Sequence, residues 1–248
     1  MEFYYIINVI LSSRLIYGFR DAAVSKRKIV AVLCFQLILL LIIKLSLTFF
    51  LFVIAVIFLD LFVYFSERKF KNLNAIRFVT FIIALLLVSF LTSPFANMEF
   101  SNGALKLIEN IKYYFSPLSN IGNIDWLKFN IMLMGILILI NETNYLIRYF
   151  FDIFNLYPLH KANNNIIAVD SKEYNAGRII GMLERILIFF FLMADQYTAI
   201  GFVLAAKGFT RFKELDNRNF AEYVLIGTFL SSLSAIILAL IIKTILSN

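Results

Sequence analysis

The chain has 248 residues, of which 61% are hydrophobic and 16% charged, and its mean hydropathy is +0.85. Ordinary soluble enzymes carry nearer ~45–50% apolar and ~25% charged residues, and disordered chains carry few aromatics and much charge, so both classes are excluded. The formal charge of +7 fits basic cytoplasmic loops beside anionic lipid headgroups, and no nucleic-acid partner is expected.

The composition therefore predicts an all-α integral membrane protein: one polytopic domain over residues 1–248, with N-terminal helices in 3–92, an interfacial segment in 95–125 and C-terminal helices in 127–147, 177–207 and 220–242. A spanning helix needs ~20 apolar residues. The opening Met1-Glu2-Phe3-Tyr4-Tyr5 lacks a basic n-region, so no removable signal peptide is expected. Phe3 to Leu11 is apolar and extends to Gly18 only by carrying Ser12, Ser13 and Arg14; it is spanning or re-entrant. Ile29 to Phe65 is too long for one crossing, and two short helices folded back near Lys44 fit better, the lysine snorkelling to the interface. Ile76 to Leu91 reads as a clean span stopped at Ser93-Pro94.

Between 95 and 125, Leu105, Ile108, Ile111 and Phe115 recur at helical spacing, which predicts an amphipathic helix in the interface, anchored by Tyr113, Tyr114 and Trp126. Leu127 to Ile147 is the next span, polar in its second half at Asn141, Glu142 and Asn144. Asp152 to Asn175 reads as the longest soluble loop. Gly177 to Lys207 is hydrophobic but broken at Asp195-Gln196, and Phe220 to Ile242 is the last span. The total is about six to eight transmembrane or re-entrant helices plus the interfacial one.

Charge placement decides between the topologies. With hairpins at Lys44 and at Asp195-Gln196, four basic loops share one side: Arg20 to Lys28, Arg68 to Lys71, Arg148 to Arg178, and Lys207 to Arg218. A single crossing of Gly177 to Lys207 would put the last cluster outside, against the positive-inside rule. The hairpin topology leaves both termini outside the cytoplasm.

Ionisable residues in the bilayer are costly and are candidates for function by default. Asp60 falls about 7 Å inside its helix end at ~1.5 Å per residue, and a packing role is as good a reading as a functional one. Glu184 and Lys207 lie at matching distances from the Asp195-Gln196 turn. An antiparallel hairpin therefore brings them to one depth, as an ion pair or in a network with Arg185 and Arg211 closer than ~6 Å. The bland alternative is that these charges only fix hairpin register. Gly177 and Gly181 form a GxxxG spacing, and Gly201, Ala205 and Gly208 a second small-residue stripe, both suited to close helix packing. Glu222 is placed to complement its helix dipole or to reach the Lys207–Arg211 group. No phosphate loop, serine elbow or HExxH is present, so no catalytic, cofactor-binding or metal site is assigned. Cys34 and His160 stand alone of their kinds.

From Asn175 the chain reads NAGRIIGMLERILIFFFLMADQYTAIGFVLAAKGFTRFKELDNRNFAEYVLIGTFLSS. Its GR-x-IG-x-LER, AIGF-x-x-AAK, RFKEL and AEY-x-LIGT-x-x-S elements resemble a bacterial membrane family known as Domain of Unknown Function 3307. The likeness is strongest over residues 175–232 and weaker upstream. It implies a bacterial inner-membrane location and brings no established activity. The family pattern implies a His and Asp pair followed by Gln in the first helix, and a His with an Asp in a later one. Here the first segment, SSRLIYGFRDAAVSK, has no histidine, and VIFLDLFVYFSERK keeps only Asp60, so a metal or hydrolytic role of that pair would be lost.

Three functions compete. The first is a non-enzymatic membrane component, regulatory or a stress or defence effector, coupled to a cytosolic protein at the basic face. The second is a channel or transporter using Glu184, Lys207, Asp60 and Glu142. The third is a degenerate membrane-bound hydrolase. Besides the lipid bilayer and a cytosolic protein, the small-residue stripes suit a homo-oligomer.

Overall fold

The computed structural model describes residues 1–18, 22–70, 72–93, 98–106, 110, 125–154, 156, 159–162, 165–168, 171–210 and 218–247. Its long elements are all helices: α1 (Glu2–Gly18), α2 (Lys26–Leu40), α3 (Leu47–Lys69), α4 (Leu73–Leu91), α5 (Trp126–Leu137), α6 (Thr143–Ile153), α7 (Ser171–Met193), α8 (Tyr197–Thr210) and α9 (Arg218–Ser247). Where the sequence suggests one domain, the contacts fall into two compact units, Met1–Leu137 and Ile138–Asn248, and each is taken by itself.

In the first unit α1 is the central helix. It is apolar except at Glu2, Asn8, Ser12, Ser13 and Arg14, and a helix apolar on most sides belongs inside a bundle. α2, α4 and α5 pack on it, and Ile6, Ile7, Val9, Ile10, Leu11 and Tyr17 are buried. The Ile29–Phe65 stretch breaks at Leu41–Ser46, as the exposed Lys44 suggests. The break is held by backbone hydrogen bonds from Lys44 N–H to Glu99 O (2.9 Å) and from Ser101 N–H to Ile42 O (2.9 Å). Ser46 Oγ then accepts the Phe49 N–H and caps α3.

Two boundaries differ from the sequence reading. α3 is not short: it runs on through Ser66, Glu67, Arg68 and Lys69. α4 begins at Leu73, three residues before the expected Ile76. The α3 extension has a plain cause. Charge ends an apolar run, but Glu, Arg and Lys are good helix formers and do not end a helix. Asp60 consequently lies about 13 Å along the axis from Lys69 at ~1.5 Å per residue, deeper than the apolar run implied.

In the second unit a π-helical turn, Ile138–Glu142, precedes α6. α6 continues to Ile153, past the expected end at Ile147. The expected 152–175 loop contains an antiparallel hairpin, β1 (Leu159–Ala162) with β2 (Asn165–Ala168), His160 facing Ile167, and α7 already starts at Ser171. The turn at Ala194–Gln196 separates α7 from α8 where the sequence breaks. Gln196 N–H reaches back to Phe191 O (2.7 Å) and Asp195 N–H to Leu192 O (3.1 Å), with Asp195 in the left-handed region at φ 57. This is a Schellman ending with aspartate in the position glycine usually takes.

Four helical stretches are long and apolar enough to cross a membrane among the described residues: Leu47–Lys69, Leu73–Leu91, Trp126–Ile153 and Ala221–Ser247. That is fewer than the six to eight segments read from the sequence, because α1 (17 residues), α2 (15) and α8 (14) are short. Most of the expected interfacial helix, including Ile108, Ile111 and Phe115, lies outside the described residues.

Candidate functional site

α3 presents Asp60, Val63 and Glu67 on one face, the last seven residues from the first, two helical turns apart. α4 presents Arg77, Thr80 and Ala84 at the same kind of spacing. Where these faces meet, Arg77 and Glu67 form a two-point ion pair: Nε donates to Oε1 at 2.5 Å and Nη2 to Oε2 at 3.2 Å. Both side chains are buried, at 1% and 0% exposure. Arg77 Nη2 also donates to Ala22 O (3.1 Å), and Glu67 Oε2 accepts Val24 N–H at 2.8 Å. A fork-on-carboxylate geometry with extra hydrogen bonds is what lets a charge pair survive burial.

Arg14 on α1 joins this cluster from the other side. Its Nη2 donates to Arg77 O at 2.6 Å and its Nη1 to Thr80 Oγ1 at 3.4 Å. The Tyr17 ring lies 5.9 Å from the Arg14 guanidinium and 5.3 Å from that of Arg77, within cation–π range. From α2, Gln36 Nε2 donates to Ser13 Oγ (2.7 Å), whose own hydroxyl donates to Ile10 O (2.6 Å). Asp60 lies within hydrogen-bonding reach of the Gln36 amide, with the Arg14 charge nearby. It lines a small cavity with Arg14, Gln36, Thr80, Val63 and Ala84, with room for about one water molecule. Asp60 is 93% buried, yet its Oδ2, like Gln36 Oε1, has no hydrogen-bond partner among the described residues.

In the second unit Glu184 of α7 and Lys207 of α8 are ion-paired through Oε2 and Nζ, both half-buried. That is the contact the hairpin register calls for. Arg185 does not join it by a hydrogen bond. It turns to the π-turn and α9: Nε donates to Leu139 O (3.0 Å), Nη2 to Asn144 Oδ1 (2.6 Å) and Nη1 to Ser231 Oγ (3.0 Å). The polar run at Asn141, Glu142 and Asn144 is thus the dock for a buried arginine, with Asn141 Nδ2 also donating to Glu142 Oε1 at 3.1 Å. Arg211 lies outside the described residues, and Glu222 is exposed near the start of α9.

The small-residue stripes make no close helix approach within this unit at Gly181, Gly201 or Gly208. A Cβ added at Gly201 or Gly208 would meet nothing within 4 Å, and at Gly181 only the Arg185 guanidinium at 3.6 Å. Gly201, Ala205 and Gly208 are exposed, because Lys207 must face Glu184 and the stripe then points away from α7. Close approach occurs instead at Gly227, where a Cβ would sit 3.0 Å from Phe151 Cζ. At the turn, Asp195 pairs with Lys243 and accepts from Tyr197 Oη at 2.8 Å. These bonds, the one to Lys243 first, hold its carboxyl below the usual carboxylate range.

Sequence reasoning passes over Glu67, Arg77 and Gln36 because each abuts or interrupts an apolar run. The signal available was the seven-residue interval from Asp60 to Glu67 and the basic residue inside an apparently clean span. Among the described residues no three of His, Cys, Asp and Glu gather around a point where a metal could sit. Comparisons with protein-family models, with curated proteins and with solved structures find no match.

Proposed function

We propose that the chain is a non-enzymatic, multi-pass protein of the bacterial inner membrane that acts as a regulatory or effector component of a stress or defence type, through a cytosolic protein bound at its basic face. The shorter helices α1, α2 and α8 and the hairpin α7–α8 complete six to eight membrane segments in this reading. The positive-inside rule puts both termini outside the cytoplasm. The resemblance to Domain of Unknown Function 3307 rests on the sequence elements quoted above and supports the location only.

One observation carries the reading: Arg77, Lys207 and Arg185 are each engaged in fastening helices. Arg77 holds Glu67, Lys207 holds Glu184, and Arg185 spends three donors on a carbonyl, an amide and a hydroxyl. Transport pathways need polar groups that a passing solute can engage and leave. Charges locked into two-point or three-point bonds serve that poorly. They suit a scaffold that presents its loops.

The channel or transporter reading keeps one point in its favour, the polar cavity at Asp60. Reconstitution into liposomes separates the two. The partner-coupled reading predicts ion and proton leakage equal to empty vesicles. A flux that the intact chain supports and Asp60→Ala abolishes would replace it with the transport reading.

A further inference from the structure

Gln36 and Asp60 leave two buried acceptor oxygens, Oε1 and Oδ2, without a donor, on neighbouring side chains of α2 and α3. A buried acceptor without a donor keeps the full cost of its lost hydration, and the Arg14 hydrogen bonds to Arg77 O and Thr80 Oγ1 use neither oxygen. A single proton removes both deficits. Placed on Oδ2, it donates to Gln36 Oε1, directly or through the one water the cavity can hold. Gln36 Nε2 donates to Ser13 Oγ, and its oxygen is the amide atom that lacks a partner.

We propose that Asp60 is a reversible proton-binding site, and that the chain Ser13–Gln36–Asp60 reverses its hydrogen-bond direction when the proton leaves. With the proton bound, Asp60 donates to Gln36 and Gln36 donates to Ser13. When the Oδ2–H bond breaks and the proton passes to water, the Gln36 amide turns over: Nε2 donates to the carboxylate, and Oε1 accepts from the Ser13 hydroxyl, which gives up Ile10 O. In each state Asp60 Oδ2, Gln36 Oε1 and Ser13 Oγ all have a partner, because an amide and a hydroxyl can each serve as donor or acceptor. The groups facing the site are Arg14 from α1, Gln36 from α2, and Thr80 from α4 with Arg77 one turn beyond it. Glu67 lies two turns along α3, held by Arg77. The walls of the cavity are otherwise apolar, formed by Ile10, Val56, Leu59 and Val63. The proposal stands whether or not a cytosolic partner exists.

The test is infrared difference spectroscopy of the full-length protein in detergent, titrated across the range in which surface carboxylates stay ionised. The expected result is a carboxylic-acid C=O band that disappears as the pH is raised and reverses on return. It shifts on aspartate 13C-carboxyl labelling, is missing in Asp60→Asn, and moves in frequency in Gln36→Leu, which removes the acceptor. The labelled wild-type protein keeps the test valid even where a variant fails to fold. A labelled protein with no acid C=O band anywhere in that range overturns the proposal, as does a band unchanged in folded Asp60→Asn.

Discussion

Arg77 and Glu67 face each other across the α3–α4 connection as a two-point pair with 1% and 0% of their side chains exposed. Breaking it by removing one partner leaves the other charge buried and uncompensated. Glu67→Gln or Arg77→Met alone is expected to cost about 3–5 kcal/mol, whereas the double replacement Glu67→Met/Arg77→Met recovers most of it, as buried pairs replaced by apolar residues do. Thermal unfolding of the three variants in mild detergent reads this order. A double variant as unstable as the singles would show that the bonds to Ala22 O and Val24 N–H matter more than charge compensation.

Glu184 and Lys207 fix the register of the α7–α8 hairpin from half-buried positions. A double-mutant cycle with Glu184→Gln and Lys207→Met is expected to give a coupling of about 0.5–3 kcal/mol, the range for groups in direct contact. The charge-reversed pair Glu184→Lys/Lys207→Glu should retain the fold better than either reversal alone. Equal damage from the pair and from the singles would mean the hairpin is held by its apolar contacts.

Glycines on the same unit should divide sharply. Gly227 is crowded by Phe151, so Gly227→Leu is expected to destabilise by about 1–3 kcal/mol through overpacking, with Phe151→Ala in the same chain relieving part of it. Gly201→Ala and Gly208→Ala meet open space and should stabilise their helix by about 0.5–1 kcal/mol each. Size-exclusion chromatography with light scattering adds the second readout. Dissociation of an oligomer by Gly201→Leu would show that another copy covers the stripe.

At the α7–α8 turn, the pKa of Asp195 is lowered in the folded chain because Lys243 and Tyr197 bind its carboxylate. A lowered folded value contributes stability above the ordinary value of about 3.9, and that contribution is lost as the pH falls through the folded value. The melting-temperature difference between the wild type and Asp195→Asn should therefore be constant near neutrality and shrink to zero in acid. Asparagine tolerates φ 57, so this variant isolates the charge. Asp195→Val adds backbone strain and should be worse at every pH.

The helical, membrane-inserted character of the chain was legible because apolar run length and composition report it directly. The hairpin breaks at Lys44 and Asp195-Gln196 were legible because each places a charge or polar pair inside a stretch too long for one crossing. The Glu184–Lys207 pairing followed from counting residues out from that second break. What escaped was carried by residues whose partners lie on other helices. Arg77 pairs back to Glu67 and Ala22, Gln36 to Ser13, and Arg185 to Leu139, Asn144 and Ser231. A linear reading gives the interval between residues on one helix but not which faces of two helices meet. It also leaves open whether the small-residue stripe packs within the chain or against another copy; the ion pair turns α8 so that Gly201, Ala205 and Gly208 face outward.

The central claim is that this membrane chain works through a cytosolic protein while its buried charges hold the helices. Lys207 is unsuitable for testing the basic face, since it is bonded to Glu184; Arg211 and Lys213 of the following loop serve instead. The decisive measurement is affinity purification of the full-length protein from its native membranes in mild detergent, with companions quantified by mass spectrometry. A cytosolic protein recovered at one-to-one with the wild type, and lost from a stably folded Arg211→Ala/Lys213→Ala chain, is the predicted result. A chain that emerges alone, or only with copies of itself, contradicts the account.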